Sequence, residues 1–183
     1  MAWRTVSSRV VYENPWIVVR EDDAVAPDGS PALYGWVELR PSVFVVALTD
    51  DDEVVLVTTD RYTTGPASVE VPAGGTDGQE PLVAAQRELA EEAGLVAREW
   101  VHLGVTEALN GIARAPEHVF VARGLAPAGD AAATADEQAH EGISQVRTVP
   151  FGEALAMVRD GRIRDGETVA ALALAALHLG RLR

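Results

Sequence analysis

The chain has 183 residues, 48% hydrophobic and 23% charged, which is enough apolar material for one substantial core. A formal charge of −13 speaks against a nucleic-acid backbone as partner, because that binding needs a basic footprint, and any handling of anionic phosphates then needs bridging cations. The absence of cysteine excludes disulfides, thiolate metal sites and a cysteine nucleophile.

The amino terminus, MAWRTVSSRVVYENP, lacks an uninterrupted apolar run, and no stretch approaches the ~20 apolar residues of a membrane span. A cytoplasmic protein with no membrane partner is expected. Residues 6–12 and 16–26 are rich in β-branched side chains and flank the turn Asn14-Pro15. With Pro27-Asp28-Gly29 and residues 33–39 they predict a small antiparallel meander over residues 1–40. Pro41 marks a boundary to a second domain, 41–183. There, residues 42–48 are a nearly continuous apolar run, the pattern of a strand covered on both faces, and Asp50-Asp51-Asp52 turns it into residues 54–58.

A short strand over residues 69–71 delivers a glycine-rich loop, Ala73-Gly74-Gly75-Thr76-Asp77-Gly78, where backbone can approach a phosphate or a metal closely. Residues 81–93 then hold no glycine and are rich in Ala, Leu, Glu, Gln and Arg, so a helix is predicted, ended by Gly94. Leu82, Ala85, Leu89 and Ala93 form its expected buried stripe, while Glu88, Glu91 and Glu92 share a different face. Like charges three and four residues apart repel, and acids in the last turn oppose the helix dipole by roughly 0.3 to 1 kcal/mol. Two readings stand: a solvated acidic face, or carboxylates that a hard divalent cation turns from repulsion to coordination.

Further on, residues 100–108 and 118–122 are expected to pair around the loop 109–117, a functional candidate, and residues 127–138 read as a mobile surface loop. Residues 143–149 form another strand. Pro150 and Gly161 bracket a helix over 151–160, and Asp165 caps one over 167–179. Strands before and after one helix, with helices added at the end, predict a mixed sheet between helices.

Arg87-Glu88-Leu89-Ala90-Glu91-Glu92-Ala93-Gly94-Leu95 matches the second half of the Nudix box, REUxEExGU with U aliphatic, at every specified position. In the first half, Gly74 and Glu80 have the family's Gly-to-Glu spacing but leave Glu80 one residue too close to Arg87; either the loop is one residue short or Gln79 occupies the Glu position. The chain also resembles the ADP-ribose pyrophosphatase branch of that family in VYENPWIVVRED, DRYTTGPASVEVPAG and the tail VPFGEALAMVRDGRIRDGETVAALALA. It departs where the branch carries Ser-Pro-Gly, reading Ala108-Leu109-Asn110-Gly111 instead.

The resemblance implies an α/β/α sandwich with a mixed sheet and an amino-terminal antiparallel β subdomain. It implies Mg²⁺ or Mn²⁺ held by the carbonyl of Ala73 and the carboxylates of Glu88, Glu91 and Glu92, with Arg87 orienting the acids and Gly74 in the substrate loop. Glu117 best matches the family's water-activating acid, with Glu141 in reserve; either is otherwise an exposed loop charge. Arg61 resembles a substrate-phosphate arginine or is a surface ion pair. In the branch, residues 1–40 are exchanged across a homodimer, where Trp16 and Trp36 would stack adenine; they are otherwise core or interface tryptophans. The implied activity is hydrolysis of a nucleoside diphosphate linked to a group X, ADP-ribose first. The alternative is a catalytically weak or inactive nucleotide-sugar sensor or interaction module on the same fold.

Overall fold

The computed structural model describes residues 2–129 and 131–181. They form two compact units, residues 1–41 with 107–116, and residues 42–106 with 117–183.

In the first unit, β1 (Arg4–Glu13), β2 (Ile17–Val25) and β3 (Pro31–Leu39) make an antiparallel meander. Its turns use short-range side-chain acceptors. Asn14 Oδ1 accepts from the backbone N–H groups of Trp16 and Ile17, both at 2.9 Å, and Asp28 Oδ1 accepts from Ser30 N at 2.9 Å. A two-residue strand from the later loop, β9 (Ala113–Arg114), pairs parallel with β3.

The second unit holds two sheets. One has the order β7 (Ala73–Gly75), β4 (Ser42–Ala47), β10 (Pro116–Pro127), β8 (Leu95–Glu107). It is mixed, because β4 runs parallel to β10 and antiparallel to β7. The other is antiparallel, with β5 (Glu53–Arg61) between β11 (Ile143–Pro150) and β6 (Gly65–Glu70). Strand alternation sends side chains to opposite faces. Val46, Val119 and Val121 pack with Leu172 of α4 (Gly166–His178) and Met157 of α3 (Phe151–Arg159). Val43, Val45, Phe120 and Ala122 pack with Ala84, Ala85 and Leu89 of α1 (Pro81–Ala93). Helices therefore cover both faces, the expected α/β/α arrangement.

The acidic helix has the predicted limits, with Pro81 in its first turn and Gly94 left-handed at φ 67° as its C-cap. Its buried side differs from the predicted stripe. Leu82 is 40% exposed, while Glu88 and Glu92 are buried beside Ala84, Ala85 and Leu89. The expected loop over 127–138 is corrected by α2 (Ala131–His140). None of its described residues is buried, so it leaves no apolar period. It is held by polar contacts to the end of α1: Gln138 Nε2 donates to the Glu92 carbonyl at 2.8 Å, and Thr134 Oγ1 to that of Ala90 at 3.4 Å. Asp165 caps α4 as expected, accepting from Thr168 N at 2.7 Å. Among the described residues no helix is long and apolar enough to cross a membrane.

One polar contact ties α4 to the strand end that leads into the glycine-rich loop. Buried Thr168 accepts through Oγ1 from the N–H of buried Val71 at 3.2 Å. Thr168→Val keeps the shape but strands that N–H in the core, and is expected to lower unfolding free energy by about 1 to 3 kcal/mol, with Thr168→Ser much milder. Urea titration of both variants checks this; equal losses would show that packing, not the hydrogen bond, matters there.

Candidate active site

The loop and α1 are joined through one guanidinium. Arg87 Nη2 donates to the carbonyl of Gly75 at 2.8 Å and lies 2.8 Å from Glu88 Oε1; Nη1 donates to Glu91 Oε2 at 2.8 Å. Its Nε faces Gln79 Oε1 at 3.3 Å, and Asp77 lies 3.6 Å from Nη2. Burial lowers the Arg87 pKa, but the bond to Glu91 and the charges of Glu88 and Glu91 outweigh it, so the net shift is upward. Of the two alignments of the loop, the contact to Arg87 belongs to Gln79. Glu80 is instead the N-cap residue of α1, with no side-chain capping bond.

Glu88 and Glu92 turn inward from the same helix. Ala73 N donates to Glu92 Oε2 at 2.7 Å, which anchors that carboxylate to the start of the loop. A Cβ at Gly74 would fall inside the Glu88 carboxylate, so glycine is required for the acid to lie against the backbone. Burial pushes the Glu88 pKa up to about 7 against the opposing pull of Arg87, with Glu141 and Glu91 adding repulsion. Glu92 is pushed further, to about 9, by burial first, with the Ala73 N–H opposing and the charges of Glu141 and Glu88 reinforcing. Glu91 stays half-buried.

Of the two acids weighed for activating water, Glu141 shares a hydrogen bond with Glu92 and its charge reaches Glu88. It follows α2, in the turn before β11. Glu117 is buried at the start of β10, where Thr106 Oγ1 donates to its Oε2 at 2.8 Å, and its charge reaches Glu167.

Arg61 makes a two-point bond to buried Glu70, with Nε to Oε1 at 3.0 Å and Nη2 to Oε2 at 2.5 Å. These bonds raise its pKa against the opposing effect of burial, and the charges of Glu70, Glu92 and Asp165 add to the rise. It lines a cleft of about 480 Å³ with Thr64, Ser68, Arg164, Asp165 and Glu167. Burial, then a hydrogen bond that the protonated carboxyl donates to Asp165, pushes the Glu167 carboxyl up to about 7. Arg164 and Glu167 were missed by sequence reasoning; the only signal was a pair of charges on either side of a capping aspartate.

In the amino-terminal unit Trp16 is 72% exposed. Trp36 Nε1 donates to Asp22 Oδ2 at 3.0 Å, and the guanidinium carbons of Arg20 and Arg114 lie 5.7 and 5.2 Å from its ring centre. Both arginines also bond Glu38. The second Asp22 oxygen, Oδ1, is buried without a hydrogen-bond partner among the described residues. Trp36, Tyr34 and Arg114 line a groove of about 190 Å³.

The donor set around α1 is all oxygen, the preference of hard divalent cations. Two carboxylates buried together with raised pKa values lack the positive charge that would keep both ionised, and the glycine-sized space at residue 74 is already taken by Glu88. The residues therefore fit a divalent metal by chemistry. Among the described residues no three acidic or imidazole groups are yet gathered on one point, since Arg87 engages both Glu88 and Glu91.

The burial of these acids sets a pH dependence. Both folded-state pKa values lie above the ordinary 4.5, so the native state keeps protons that the unfolded chain has released. That contribution is fully present below about pH 4.5 and is lost as pH rises through about 7 and then about 9. In chelator the melting temperature should fall steadily from mildly acidic to mildly alkaline pH, and Glu92→Gln should flatten much of the slope. A wild-type profile without this decline would contradict the burial of the pair.

Comparison with known proteins agrees with this geometry. Residues 3–37 match the model of a nucleoside diphosphate sugar hydrolase N-terminal domain, and residues 38–172 match that of the NUDIX domain. The chain is 28% identical to the methanol dehydrogenase activator of Bacillus methanolicus and 26% identical to the ADP-ribose pyrophosphatase of Bacillus subtilis, each match covering 92% of this chain and 90% of the relative. The crystal structure of an ADP compounds hydrolase superposes with a TM-score of 0.80 at 20% identity, covering 100% of this chain and 98% of that one, a likeness of fold. The domain match takes in most of the chain together with every acid of α1, and on that ground the protein belongs to the Nudix family and is a hydrolase of that family.

Proposed function

We propose that the protein is a Mg²⁺- or Mn²⁺-dependent enzyme that hydrolyses the diphosphate of a nucleotide sugar, ADP-ribose to AMP and ribose 5-phosphate first among candidates, as a cytoplasmic homodimer. The observation that carries this reading is the buried pair Glu88 and Glu92, closed against Ala73 and Gly74. The names of the Bacillus subtilis pyrophosphatase and of the structurally similar ADP compounds hydrolase support the choice of substrate.

Glu88, Glu91, Glu92 and the carbonyl of Ala73 are the groups that would hold the metal. When bound, a dication neutralises diphosphate oxygens and lowers the pKa of the attacking water. Arg87 sets the directions of Glu88 and Glu91 and holds the loop carbonyl of Gly75 beside them. Glu141, against Glu92, is better placed than Glu117 to take a proton from water. Arg61, clamped by Glu70, offers a phosphate contact at the mouth of a cleft whose hydroxyls and acids suit a sugar.

A screen of nucleoside diphosphate compounds with and without Mg²⁺ tests the activity. Glu92→Gln should lose several kcal/mol of transition-state stabilisation, roughly a thousandfold in turnover, while remaining folded. Gln79→Glu, at the outer side of Arg87, should change the rate far less. Undiminished turnover in the Glu92 variant rejects the metal assignment.

Residues 1–40 are the proposed dimerisation and base-binding segment. Every residue of β1 is exposed, and Val6, Val10, Val11 and Tyr12 among them are the apolar side chains that a second copy would cover. Trp16 and Trp36 are the proposed stacking residues for adenine, with Arg20 and Arg114 already on the Trp36 ring. Trp36→Ala should raise KM for an adenine substrate by roughly 1 to 3 kcal/mol of stacking. Light scattering after size exclusion, with steady-state kinetics, checks both parts; a monomeric wild type or an unchanged KM rejects the shared adenine site.

A second reading, a nucleotide-sugar sensor or interaction module, is favoured by Gln79 in place of a Glu and by the relative named as an activator of another enzyme. It predicts ADP-ribose binding by calorimetry without hydrolysis under any metal.

A further inference from the structure

We propose that the outer end of the β8–β10 strand pair carries a second metal site, for a borderline transition-metal dication of the zinc, nickel or copper class, formed by His102, His118 and Glu80. The two imidazoles stand on neighbouring strands, His102 on β8 and His118 on β10. Their rings are stacked with centroids 5.4 Å apart, and His118 Nδ1 lies 3.4 Å from His102 Nε2. Zinc binds imidazole nitrogen at about 2.0 to 2.1 Å in tetrahedral geometry, which places two ligand nitrogens about 3.3 to 3.4 Å apart. The observed separation of 3.4 Å matches that chord.

The pair borders a groove of about 360 Å³, walled by Trp100, Phe120 and Leu82 and lined also by Glu80. The Phe120 ring lies 4.8 Å from His102 and 6.2 Å from Trp100, which limits where the imidazoles can turn. Glu80 is exposed, and its carboxylate makes no capping bond to α1 and no ion pair among the described residues. No three such groups are gathered on one point as they stand, so the Glu80 side chain turns in to supply the third donor and water completes the shell. Burial and the neighbouring His102 lower the His118 pKa, which favours the neutral imidazole that metals require. In the metal-free pair one nitrogen donates its proton to the other; on binding, that ring carries its proton on its other nitrogen, and no net proton is released.

This site lies apart from the α1 acids. It is at the amino-terminal end of α1, where Glu80 is the N-cap and Leu82 lines the groove, whereas Glu88, Glu91 and Glu92 come eight or more residues later, about 12 Å or more along the helix axis. Ligand chemistry separates the two: imidazole suits zinc, nickel and copper, while all-carboxylate sites suit magnesium and manganese.

Zinc titration against a chromophoric chelator, in saturating Mg²⁺ to occupy carboxylate sites, measures the affinity. Imidazole resonances of the labelled protein identify the ligands. Wild type is expected to take up one zinc with shifts at His102 and His118, with a zinc-dependent rise in melting temperature. His118→Gln and His102→Gln should each weaken binding by at least about 10 to 100-fold, and Glu80→Gln by a smaller factor. Zinc affinity unchanged in both histidine variants, or imidazole resonances unmoved by zinc, overturns the site; an unaltered Glu80→Gln variant overturns the part given to Glu80.

Discussion

Two carboxylates on one helix, turned into the protein rather than out to water, set the terms for everything around them. Burying an ionised acid is costly unless it is paired or hydrogen-bonded, and Glu88 and Glu92 also repel one another across a single turn. The surroundings answer that cost locally. The Ala73 N–H points at Glu92, Gly74 leaves room for Glu88, and Arg87 spans Glu88, Glu91 and the Gly75 carbonyl. The residual mismatch appears as raised pKa values. The proposed dication would supply the positive charge that this pair lacks.

The rest of the second unit holds that arrangement in place. β7 reaches the acids because it pairs antiparallel with β4, with Phe44 opposite Ala73 and Val43 opposite Gly74. β4 itself is fully packed on both faces, against α1 on one side and against α3 and α4 on the other. Thr168 of α4 secures the backbone at Val71, just before the loop. The loop is thus held by β4 on one side and by α1, through Glu92 and Arg87, on the other.

Charge is distributed to match. The protein is strongly acidic, yet Arg61 and Arg164 share one cleft, and Arg20 and Arg114 frame Trp36. Each cluster also contains acids that orient the arginines: Glu70 for Arg61, and Glu38 for Arg20 and Arg114. Guanidinium groups held by a carboxylate at one edge keep other N–H donors for an anionic ligand.

Residues close in sequence determined a good deal by themselves. The limits of α1, the caps at Gly94 and Asp165, the antiparallel meander and the apolar β4 all follow from short-range rules of propensity, capping and alternation. The Nudix signature was legible because its chemistry requires several acids and an arginine at fixed spacing on one helix. Tertiary structure decided what depends on a second segment of chain. Helical period alone placed Leu82 in the core and Glu88 outside, whereas the strand and loop packed on α1 selected the side holding Glu88 and Glu92. α2 could not be read from its own sequence because it buries no apolar face and is held by bonds to carbonyls at the end of α1. The choice between Gln79 and Glu80 at Arg87, and the nearness of Glu141 to Glu92, are likewise contacts between segments. Spacing along the chain cannot specify them, because they arise only when the strands have paired and the helices have docked.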